Sequence, residues 1–337
     1  MDESIYHGSD VITRYPETIL SCKDVPYDSA LTFNAGIVKN GDEYIMLFRN
    51  DYGCTQPEWE AGKRFKGTNI GLAKSRDGVH FTVDPEPSFE LKELGDPEFV
   101  RAYDPRITAL DGRYYVSFAV DTLHGVCGGI CATDDFKKFD ILSISVPDNR
   151  NMVLFPQKIN GRYVRLERPM PVYSREGDGM FDIWLSESPD LEYWGRSRLV
   201  LATEDVPFCN DKIGPGAPPL KTDKGWLVIF HAVDIDPNRG KNGWENYWRK
   251  RYCIGIMLLD LEDPSKVIGM SKRPLMIPEA PYELSGGFRD NALFPCGMIR
   301  DEGGIVRIYY SAGDAVVRMA TAREEDLIAL CTEKRRV

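Results

Sequence analysis

The sequence predicts an all-β protein, a single five-bladed β-propeller domain spanning residues 1–337. Three observations predict it. A turn-and-strand motif recurs five times, a strand motif precedes each copy, and a strand–turn–strand motif follows each copy. No long helical periodicity separates the copies. Repetition of a complete sheet is typical of propellers and related arrays, so the repeat unit indicates a propeller.

The central motif is a tight turn followed by aromatic and β-branched residues. Asn and Gly tolerate the positive φ of hairpin turns, and Tyr, Val, Ile, Phe and Trp favour strands. The copies are NGDEYIMLFRN (40–50), DGRYYVSFAV (111–120), NGRYVRLERP (160–169), DKGWLVIFHAV (223–233) and EGGIVRIYYSA (302–312). Each copy predicts the second strand of a sheet.

Strand motifs on both sides complete each unit. Those before the turn are LTFNAGIVKN (31–40), YDPRITALD (103–111), MVLFPQKIN (152–160), GPGAPPLKTD (214–223) and NALFPCGMIRD (291–301). Those after it are NIGLAKSRDGVHFTV (69–83), GGICATDDFKKFDI (128–141), FDIWLSESPDLEYWG (181–195), CIGIMLLDLEDPSKVI (253–268) and the shortened VVRMATAREEDL (316–327). Each unit is a four-stranded antiparallel sheet, which favours a propeller over a β-sandwich with extra hairpins. The blades are predicted at 31–100, 101–148, 149–205, 206–270 and 286–330.

Composition excludes several classes of protein. Lys plus Arg is 42 and Asp plus Glu is 52, and the net charge of −10 argues against a nucleic-acid partner. The N-terminal residues lack a basic segment followed by an apolar core, and no run of about 18 apolar residues occurs, so we expect no signal peptide and no membrane span. Eight scattered cysteines without a C-x-x-C pair, and four histidines, predict free thiols in the cytoplasm and no metal site.

Polar residues recur where the first strand of a unit begins and its second strand ends. In a propeller these positions converge at the axis, where a ligand can bind. They are Asn34 and Arg49, Tyr103-Asp104-Pro105-Arg106, Arg150, Asn151 and Arg168, Lys212 and His231, and Asp290, Asn291 and Asp314. Several cations from different units favour an oxyanion such as phosphate, because Arg presents fork-shaped donors. Salt bridges between blades are the alternative, and position alone does not decide between the two.

The predicted loops are rich in aromatic residues, which pack on the C–H faces of sugars. Loop 241–252, KNGWENYWRKRY, carries two Trp and two Tyr among basic residues. Interfaces are enriched in such residues, so the loop predicts a homo-oligomer. The alternative is that the same aromatic residues line the acceptor end of the site.

These residues resemble glycoside hydrolase family 130 over about residues 30–325. The resemblance is carried, besides Asp104-Pro105-Arg106, by four segments: NIGLAKSRDGVHF, RNMVLFPQKINGRYVRLERP, KIGPGAPPL and IYYSAGDAVVRMATA. The family has the five-bladed propeller fold, and most members are inverting β-mannoside phosphorylases. The resemblance implies phosphorolysis of β-1,4-mannooligosaccharides, with release of α-mannose 1-phosphate from the non-reducing end.

The resemblance also implies roles for individual residues. Asp104 would be the catalytic acid, its proton reaching the glycosidic oxygen through the 3-hydroxyl of the mannosyl unit. The implied phosphate clamp is Arg150, Asn151, Arg168, Lys212 and His231, and the implied substrate site is Asn34, Arg49, Arg64, Tyr103, Asp182 and Asp314. Lys66 is an alternative to Arg64, and a structural role at the blade edge is the alternative for Asp182. Phosphate is itself an anionic nucleophile, so we expect no base, metal or organic cofactor.

Several alternatives remain open at this point. Hydrolases of the family replace basic clamp positions, and the presence of both Lys212 and His231 favours phosphorolysis. The short segment before the first unit favours the mannooligosaccharide or mannosyl-N-acetylglucosamine branch over the mannosyl-glucose branch. Glucose or N-acetylglucosamine acceptors, β-1,2 linkages, hydrolysis and a non-catalytic sugar-binding propeller are the other functions to weigh. The expected partners are a mannooligosaccharide and inorganic phosphate.

Overall fold

The computed structural model describes residues 7–172, 180–240, 243–245 and 249–332. Its strands form five antiparallel sheets, which are the blades of a five-bladed β-propeller. The predicted fold class is therefore confirmed. Among the described residues, no helix is long and apolar enough to cross a membrane.

The blades follow one another along the chain, each with its first strand innermost. After a short strand, β1 (Thr13–Arg14), blade 1 consists of β2 (Leu31–Asn40), β3 (Glu43–Tyr52), β4 (Gly67–Ser75) and β5 (Thr82–Val83). Blade 2 consists of β6 (Phe99–Leu110), β7 (Arg113–Thr122), β8 (Gly125–Thr133) and β9 (Asp140–Ile144). Blade 3 consists of β10 (Asn149–Leu154), β11 (Tyr163–Pro169), β12 (Ile183–Ser188) and β13 (Gly195–Leu201).

The last two blades carry small additions to this plan. Blade 4 consists of β14 (Lys212–Pro215), β15 (Leu220–Lys221), β16 (Trp226–Ile235), β17 (Lys250–Leu259) and β18 (Val267–Met270). Blade 5 consists of β19 (Leu293–Arg300), β20 (Ile305–Ala312) and β21 (Val316–Arg323), with β1 as its outer strand. The described part of the chain also forms three short α-helices outside the sheets: α1 (Gln56–Glu60), α2 (Pro281–Leu284) and α3 (Glu324–Thr332).

Strand β1 closes the ring by pairing with the last strand of the chain. Thr13 lies opposite Thr321 and Arg14 opposite Ala320, in antiparallel register. The predicted fifth blade, 286–330, did not include this strand, because two residues are too short to show an alternating pattern. The second blade also begins slightly earlier than predicted, since β6 starts at Phe99.

The hydrophobic core lies between neighbouring blades. The largest cluster joins blades 3 and 4 and includes Leu166, Ile213, Trp226 and Phe230, all fully buried. Burying such a side chain contributes roughly 1.5–3 kcal/mol, so the blade-to-blade contacts hold the ring together.

Close to the axis the innermost strands approach one another so tightly that a Cβ atom would not fit. A Cβ on Gly36 of blade 1 would lie 2.6 Å from the Pro105 carbonyl of blade 2. A Cβ on Gly216 would lie 2.3 Å from Pro295 Cγ, where blades 4 and 5 meet. The axis is therefore narrow beneath the candidate site.

Candidate active site

A cavity of ≈ 270 Å³ opens on the face of the ring where second strands end and third strands begin. Its volume is close to the lower end of the ~300–1,000 Å³ typical of small-molecule sites. The residues that line it come from all five blades: Phe33, Asn34, Arg49, Asp51, Trp59, Phe65, Arg101, Tyr103, Asp104, Arg150, Asn151, Arg168, Glu245, Tyr252, Phe288, Arg289, Ala292, Phe294 and Asp314. Eight of the predicted site residues are among them.

Three equivalent β-bulges direct polar side chains of the first strands into this cavity. The pairing register slips after Phe33, Tyr103 and Arg150, in blades 1, 2 and 3. The next residue in each strand adopts positive φ: Asn34 at 49°, Asp104 at 56° and Asn151 at 59°. Asn and Asp tolerate this conformation better than most residues, and a bulge re-aims a side chain out of its ladder. The same backbone device therefore supplies a polar group from three blades.

Asp104 accepts hydrogen bonds from two of the predicted substrate residues. Asn34 Nδ2 donates to Asp104 Oδ1 across 2.9 Å, and Arg49 Nη1 lies 3.3 Å from the same oxygen. Burial raises the pKa of Asp104, but the nearby guanidinium groups of Arg49 and Arg106 outweigh it. The pKa consequently lies below its ordinary value, and without ligand the carboxyl group is ionised.

A second carboxyl group of the cavity, the partly buried Asp314, behaves in the opposite way. It forms an ion pair of 3.3 Å with Arg289, which also binds Glu245 at 2.8 Å. Burial raises the pKa of Asp314 above its ordinary value despite Arg289 and Arg49, and the charge on Asp104 adds to the rise. Two acids with pKa values shifted in opposite directions therefore lie close to Arg49.

Blade 3 contributes two arginines to the cavity, the buried Arg168 and the partly buried Arg150. Arg150 donates to Tyr103 Oη across 3.0 Å, and Arg168 Nη1 donates to His231 Nε2 across 3.0 Å. Burial and the charge of Arg150 lower the pKa of Arg168 to about 9. Among the described residues, Arg168 has no carboxylate within ion-pair distance, and the Nε atoms of both arginines have no hydrogen-bond partner.

His231 lies behind Arg168 and is neutral. Burial lowers its pKa far below the ordinary value, and the charges of Arg168 and Lys212 lower it further. Because Nε2 accepts from Arg168, the imidazole proton is placed on Nδ1, which has no partner among the described residues. The ring is stacked on Phe294, with centroids 4.6 Å apart.

Lys212 also lies behind the cavity wall rather than on it. The carboxylate of Asp211 is shared by Lys212, at 3.2 Å, and Lys250, at 2.8 Å. Burial and the charge of Arg168 lower the pKa of Lys212, and Asp211 opposes them. The predicted clamp residues are thus brought together: Arg150, Asn151 and Arg168 line the cavity, and Lys212 and His231 lie behind its wall.

One wall of the cavity is aromatic and is built by loops of three blades. Trp59 and Phe65 come from the β3–β4 loop, Trp244 from the β16–β17 loop and Phe288 from the segment before β19. Their ring centroids are 5.1 Å apart for Trp59–Phe288 and 5.5 Å for Trp244–Phe288. Arg64 does not line the cavity, but its guanidinium stacks 4.3 Å from the Trp59 ring.

The structure changes the interpretation of loop 241–252. Trp244 is only 9% exposed and packs in the aromatic wall, and Tyr252 lines the cavity. For these two residues the structure therefore favours the alternative, in which aromatic residues of the loop lie at the site. Tyr247 and Trp248 lie outside the described residues. Of the described residues of this loop, Glu245 and Tyr252 line the cavity.

Asp182 is placed away from the cavity. Its Oδ1 accepts hydrogen bonds from the backbone N–H of Thr203 at 2.8 Å and from its hydroxyl at 2.9 Å. Asp182 is buried and fixes the segment after β13, as the structural alternative for this residue anticipated. Lys66 is likewise not among the residues that line the cavity.

The sequence analysis missed several residues of the cavity. Asp51, which pairs with Arg49 at 2.7 Å, stands two residues past the strand position that was singled out. Arg289 immediately precedes the Asp290-Asn291 pair noted in the fifth unit, and Tyr252 ends the aromatic loop. Trp59 and Phe65 lie in a loop without periodic pattern, so no signal pointed to them.

The ring and its cavity together define a carbohydrate-active propeller: acids and arginines bind hydroxyl groups, and aromatic rings pack on sugar faces. The chain belongs to glycoside hydrolase family 130, whose sequence model, described as beta-1,4-mannooligosaccharide phosphorylase, matches residues 9–333. This confirms the family that the sequence resembles.

Individual relatives agree with this membership. The chain is 32% identical to a beta-1,4-mannooligosaccharide phosphorylase of Ruminococcus albus over 95% of this chain and 90% of that protein. It is 34% identical to a beta-1,2-mannobiose phosphorylase of Listeria innocua, in a match that spans 73% of this chain and 63% of that protein. A solved structure of beta-1,2-mannobiose phosphorylase from Listeria innocua, in complex with beta-1,2-mannobiose, superposes with a TM-score of 0.76 at 25% identity, covering 95% and 99% of the two chains.

Proposed function

We propose that the protein catalyses inverting phosphorolysis of β-1,4-mannooligosaccharides and releases α-mannose 1-phosphate from the non-reducing end. One observation carries the proposal. Arg168 is a fully buried cation without a carboxylate partner in the described part of the chain, next to Arg150 and in the same cavity as Asp104. Burying an unneutralised charge is costly, so such a position supports an anionic ligand.

In the proposed mechanism phosphate binds to Arg150, Asn151 and Arg168, with Lys212 and His231 behind them. The neutral His231 accepts from Arg168 and so fixes the orientation of its guanidinium. Oriented cations lower the repulsion between the phosphate and the electron-rich sugar, and they direct attack on the anomeric carbon. An inverting hydrolase needs a base to activate water, whereas phosphate needs none.

Asp104 is the proposed acid, acting through the mannosyl 3-hydroxyl. The mannosyl unit is held by Asn34, Arg49, Tyr103 and Asp314, all of which line the cavity. The charge of Arg150 contributes to the lowered pKa of Asp104. A phosphate dianion at Arg150 offsets that charge, so the pKa of Asp104 rises and the acid gains its proton when phosphate binds.

The acceptor sugar is proposed to pack against the aromatic wall of Trp59, Phe65 and Phe288. Inversion requires the leaving group to lie opposite the attacking phosphate. The phosphate side is formed by blades 3 and 4, and the aromatic wall is formed chiefly by blades 1 and 5. The relatives include both β-1,4 and β-1,2 phosphorylases. We propose the β-1,4 linkage, supported by the match that spans nearly all of both chains.

Separate incubations with β-1,4-mannobiose and β-1,2-mannobiose, with and without phosphate, test the proposal. We expect mannose 1-phosphate from the β-1,4 substrate only, and no product without phosphate. Product from the β-1,2 substrate would change the assigned linkage. Free mannose formed at the same rate without phosphate would indicate hydrolysis. Binding without turnover of either substrate would indicate a sugar-binding propeller.

We further propose cytoplasmic function, without a metal or organic cofactor. All eight cysteines are free thiols, which suits a reducing compartment. Phosphate attack requires no metal-bound water, so EDTA is expected to leave the rate unchanged.

A homo-oligomer is also proposed, on the aromatic and basic composition of loop 241–252. Trp244 and Tyr252 no longer support it, because Trp244 is buried against Phe288 and Tyr252 lines the cavity. Light scattering at micromolar concentration measures the assembly directly. A mass near 38.2 kDa would refute the oligomer.

A further inference from the structure

Arg106 is a buried cation that has no part in the mechanism described above. It is 4% exposed, and no carboxylate of the described residues lies within ion-pair distance of it. It is not among the residues that line the main cavity. It lies at the axis, directly beneath the bulge that carries Asp104. A buried guanidinium has five donors to satisfy, so the groups that accept from it define its role.

The acceptors of Arg106 are backbone carbonyl groups of four different blades. Nη1 donates to the Asn34 carbonyl of blade 1 at 3.0 Å and to its neighbour, the Pro105 carbonyl of blade 2, at 2.7 Å. Nε donates to the Gly216 carbonyl of blade 4, and Nη2 makes a longer contact of 3.5 Å to the Pro295 carbonyl of blade 5. One side chain thus joins four innermost strands.

The β-bulges explain why two of these carbonyl groups, those of Asn34 and Pro105, need a donor. In blade 1 the register slips between Phe33 and Gly36, so the residues between them are left out of the ladder. In blade 2 the slip lies between Tyr103 and Arg106. A buried carbonyl group without a donor is destabilising. Arg106 supplies the donors and therefore stabilises the left-handed conformation of the bulge residues.

Asn34 connects Arg106 to Asp104 through two hydrogen bonds. The Asn34 carbonyl accepts from Arg106, and the Asn34 side-chain amide donates to Asp104 Oδ1 at 2.9 Å. On the other side the Asn34 backbone N–H donates to Ser311 Oγ. The Asn34 bulge is therefore held at its carbonyl, at its N–H and at its side chain.

We propose that Arg106 is a positioning residue for the catalytic carboxylate, acting through the Asn34 bulge and through its fixed charge beneath Asp104. The proposal rests on the phosphorolysis proposed above. The charge of Arg106 also stabilises the ionised carboxylate. Together with Arg49 and Arg150, Arg106 is among the cations that hold the pKa of Asp104 below its ordinary value. Asp314 faces Asp104 from blade 5 and opposes them.

Two substitutions of Arg106 distinguish the effect of its hydrogen bonds from the effect of its charge. Arg106→Lys keeps the charge and loses the forked donors, so kcat is expected to fall by about 10- to 100-fold, with the pH profile in place. Arg106→Gln also loses the charge, so the pKa of Asp104 rises and the alkaline limb of the kcat profile moves to higher pH. The Michaelis constant for phosphate is expected to stay within about twofold in both.

A double-mutant cycle with Asn34→Ala tests the route of the effect. If Arg106 acts through Asn34, Arg106→Lys lowers kcat much less in the Asn34→Ala background than in the wild type. An equal loss in both backgrounds would overturn the proposal.

Arg318 provides the matched control for a buried arginine that binds backbone. It is 3% exposed and donates to the carbonyl groups of Tyr15 and Pro16, far from the cavity in blade 5. Arg318→Lys is expected to lower the melting temperature comparably while kcat and its pH profile stay unchanged. If both Arg106 variants fail to fold, or lose activity only in proportion to the folded fraction, Arg106 is purely structural and the proposal is wrong. Wild-type protein that forms no mannose 1-phosphate would instead contradict the proposed function.

Discussion

Arg168 Nη1 donates to His231 Nε2 across 3.0 Å, so a buried cation is paired with a neutral ring instead of an acid. Another buried arginine of the same strand shows the contrast. Arg165 forms a 2.7 Å ion pair with Glu167 and is compensated within the protein. Of the two arginines, only Arg168 lacks a compensating acid. Substitutions of the two can therefore test phosphate binding through thermal stability, without an assay of catalysis.

We predict that phosphate raises the melting temperature of the wild type and has no effect on Arg168→Met. Without phosphate, Arg168→Met is expected to be as stable as the wild type or more stable, because an uncompensated buried charge is removed. Differential scanning calorimetry with and without phosphate measures both effects.

Arg165→Met is the control. It leaves Glu167 buried without its partner and is expected to cost about 3–5 kcal/mol of unfolding free energy while the phosphate-induced shift remains. A phosphate shift that survives in Arg168→Met would contradict the clamp.

Asp104→Asn is predicted to lower kcat by at least about 100-fold, because the amide cannot donate an acidic proton. The fold is expected to persist, since Asn fits the left-handed bulge as well as Asp. Release of mannose 1-phosphate at saturating substrate is the measurement. Asp301→Asn serves as control, because Asp301 binds Tyr44 and Lys39 away from the cavity. Activity of more than a few per cent in a clean Asp104→Asn preparation would rule out the assigned acid.

The Michaelis constant for phosphate is predicted to rise with pH on the alkaline side of neutrality. The pKa of Lys212 is lowered by burial and by Arg168, so its charge is lost at lower pH than that of an exposed lysine. Phosphate is already a dianion in this range, so its own ionisation does not offset the loss. In Lys212→Arg the rise should become smaller, because the new guanidinium keeps its charge to higher pH than the lysine and only Arg168, with its pKa lowered to about 9, still titrates. An unchanged pH dependence in this variant would show that another group titrates.

Trp59→Ala is predicted to weaken binding of the acceptor sugar but not of mannose 1-phosphate. In the synthetic direction, the Michaelis constant for the acceptor should rise about 2- to 10-fold, the value expected for one aromatic contact. Initial rates with each substrate varied in turn provide the two constants. Tyr193→Ala is the control, since Tyr193 is an exposed aromatic residue of blade 3 outside the cavity. A rise confined to mannose 1-phosphate would place the acceptor elsewhere.

The sequence predicted the parts of the fold and site that repeat from blade to blade. Arg49 and Arg168 occupy matching positions at the end of a second strand, and each lies opposite the residue before a bulge. A position that recurs in every unit can be recognised without a structure, because symmetry brings equivalent positions to the axis.

Most of the cavity residues that could not be predicted lie in single loops. Trp59, Glu245 and Arg289 reach the cavity from segments that differ in each blade, and their contacts join residues of different blades. Sequence spacing contains no information about such contacts. Asp182 illustrates the opposite error: it stands in a recognisable motif, yet its carboxylate binds Thr203 outside the cavity.

The pairing of β1 with β21 has a consequence for synthesis of the chain. Thr13 leaves the ribosome long before its partner Thr321, so the first four blades can form before β19, β20 and β21 join β1 in the fifth sheet. Until then blades 4 and 1 each present an uncovered side, and the cavity, which needs Asp314 and Arg289 from the late segment, is incomplete. A nascent chain therefore cannot hold substrate. A circular permutant that joins β1 directly to β21, with new ends between two other blades, would make the two paired strands neighbours in sequence. The ring is then expected to close sooner.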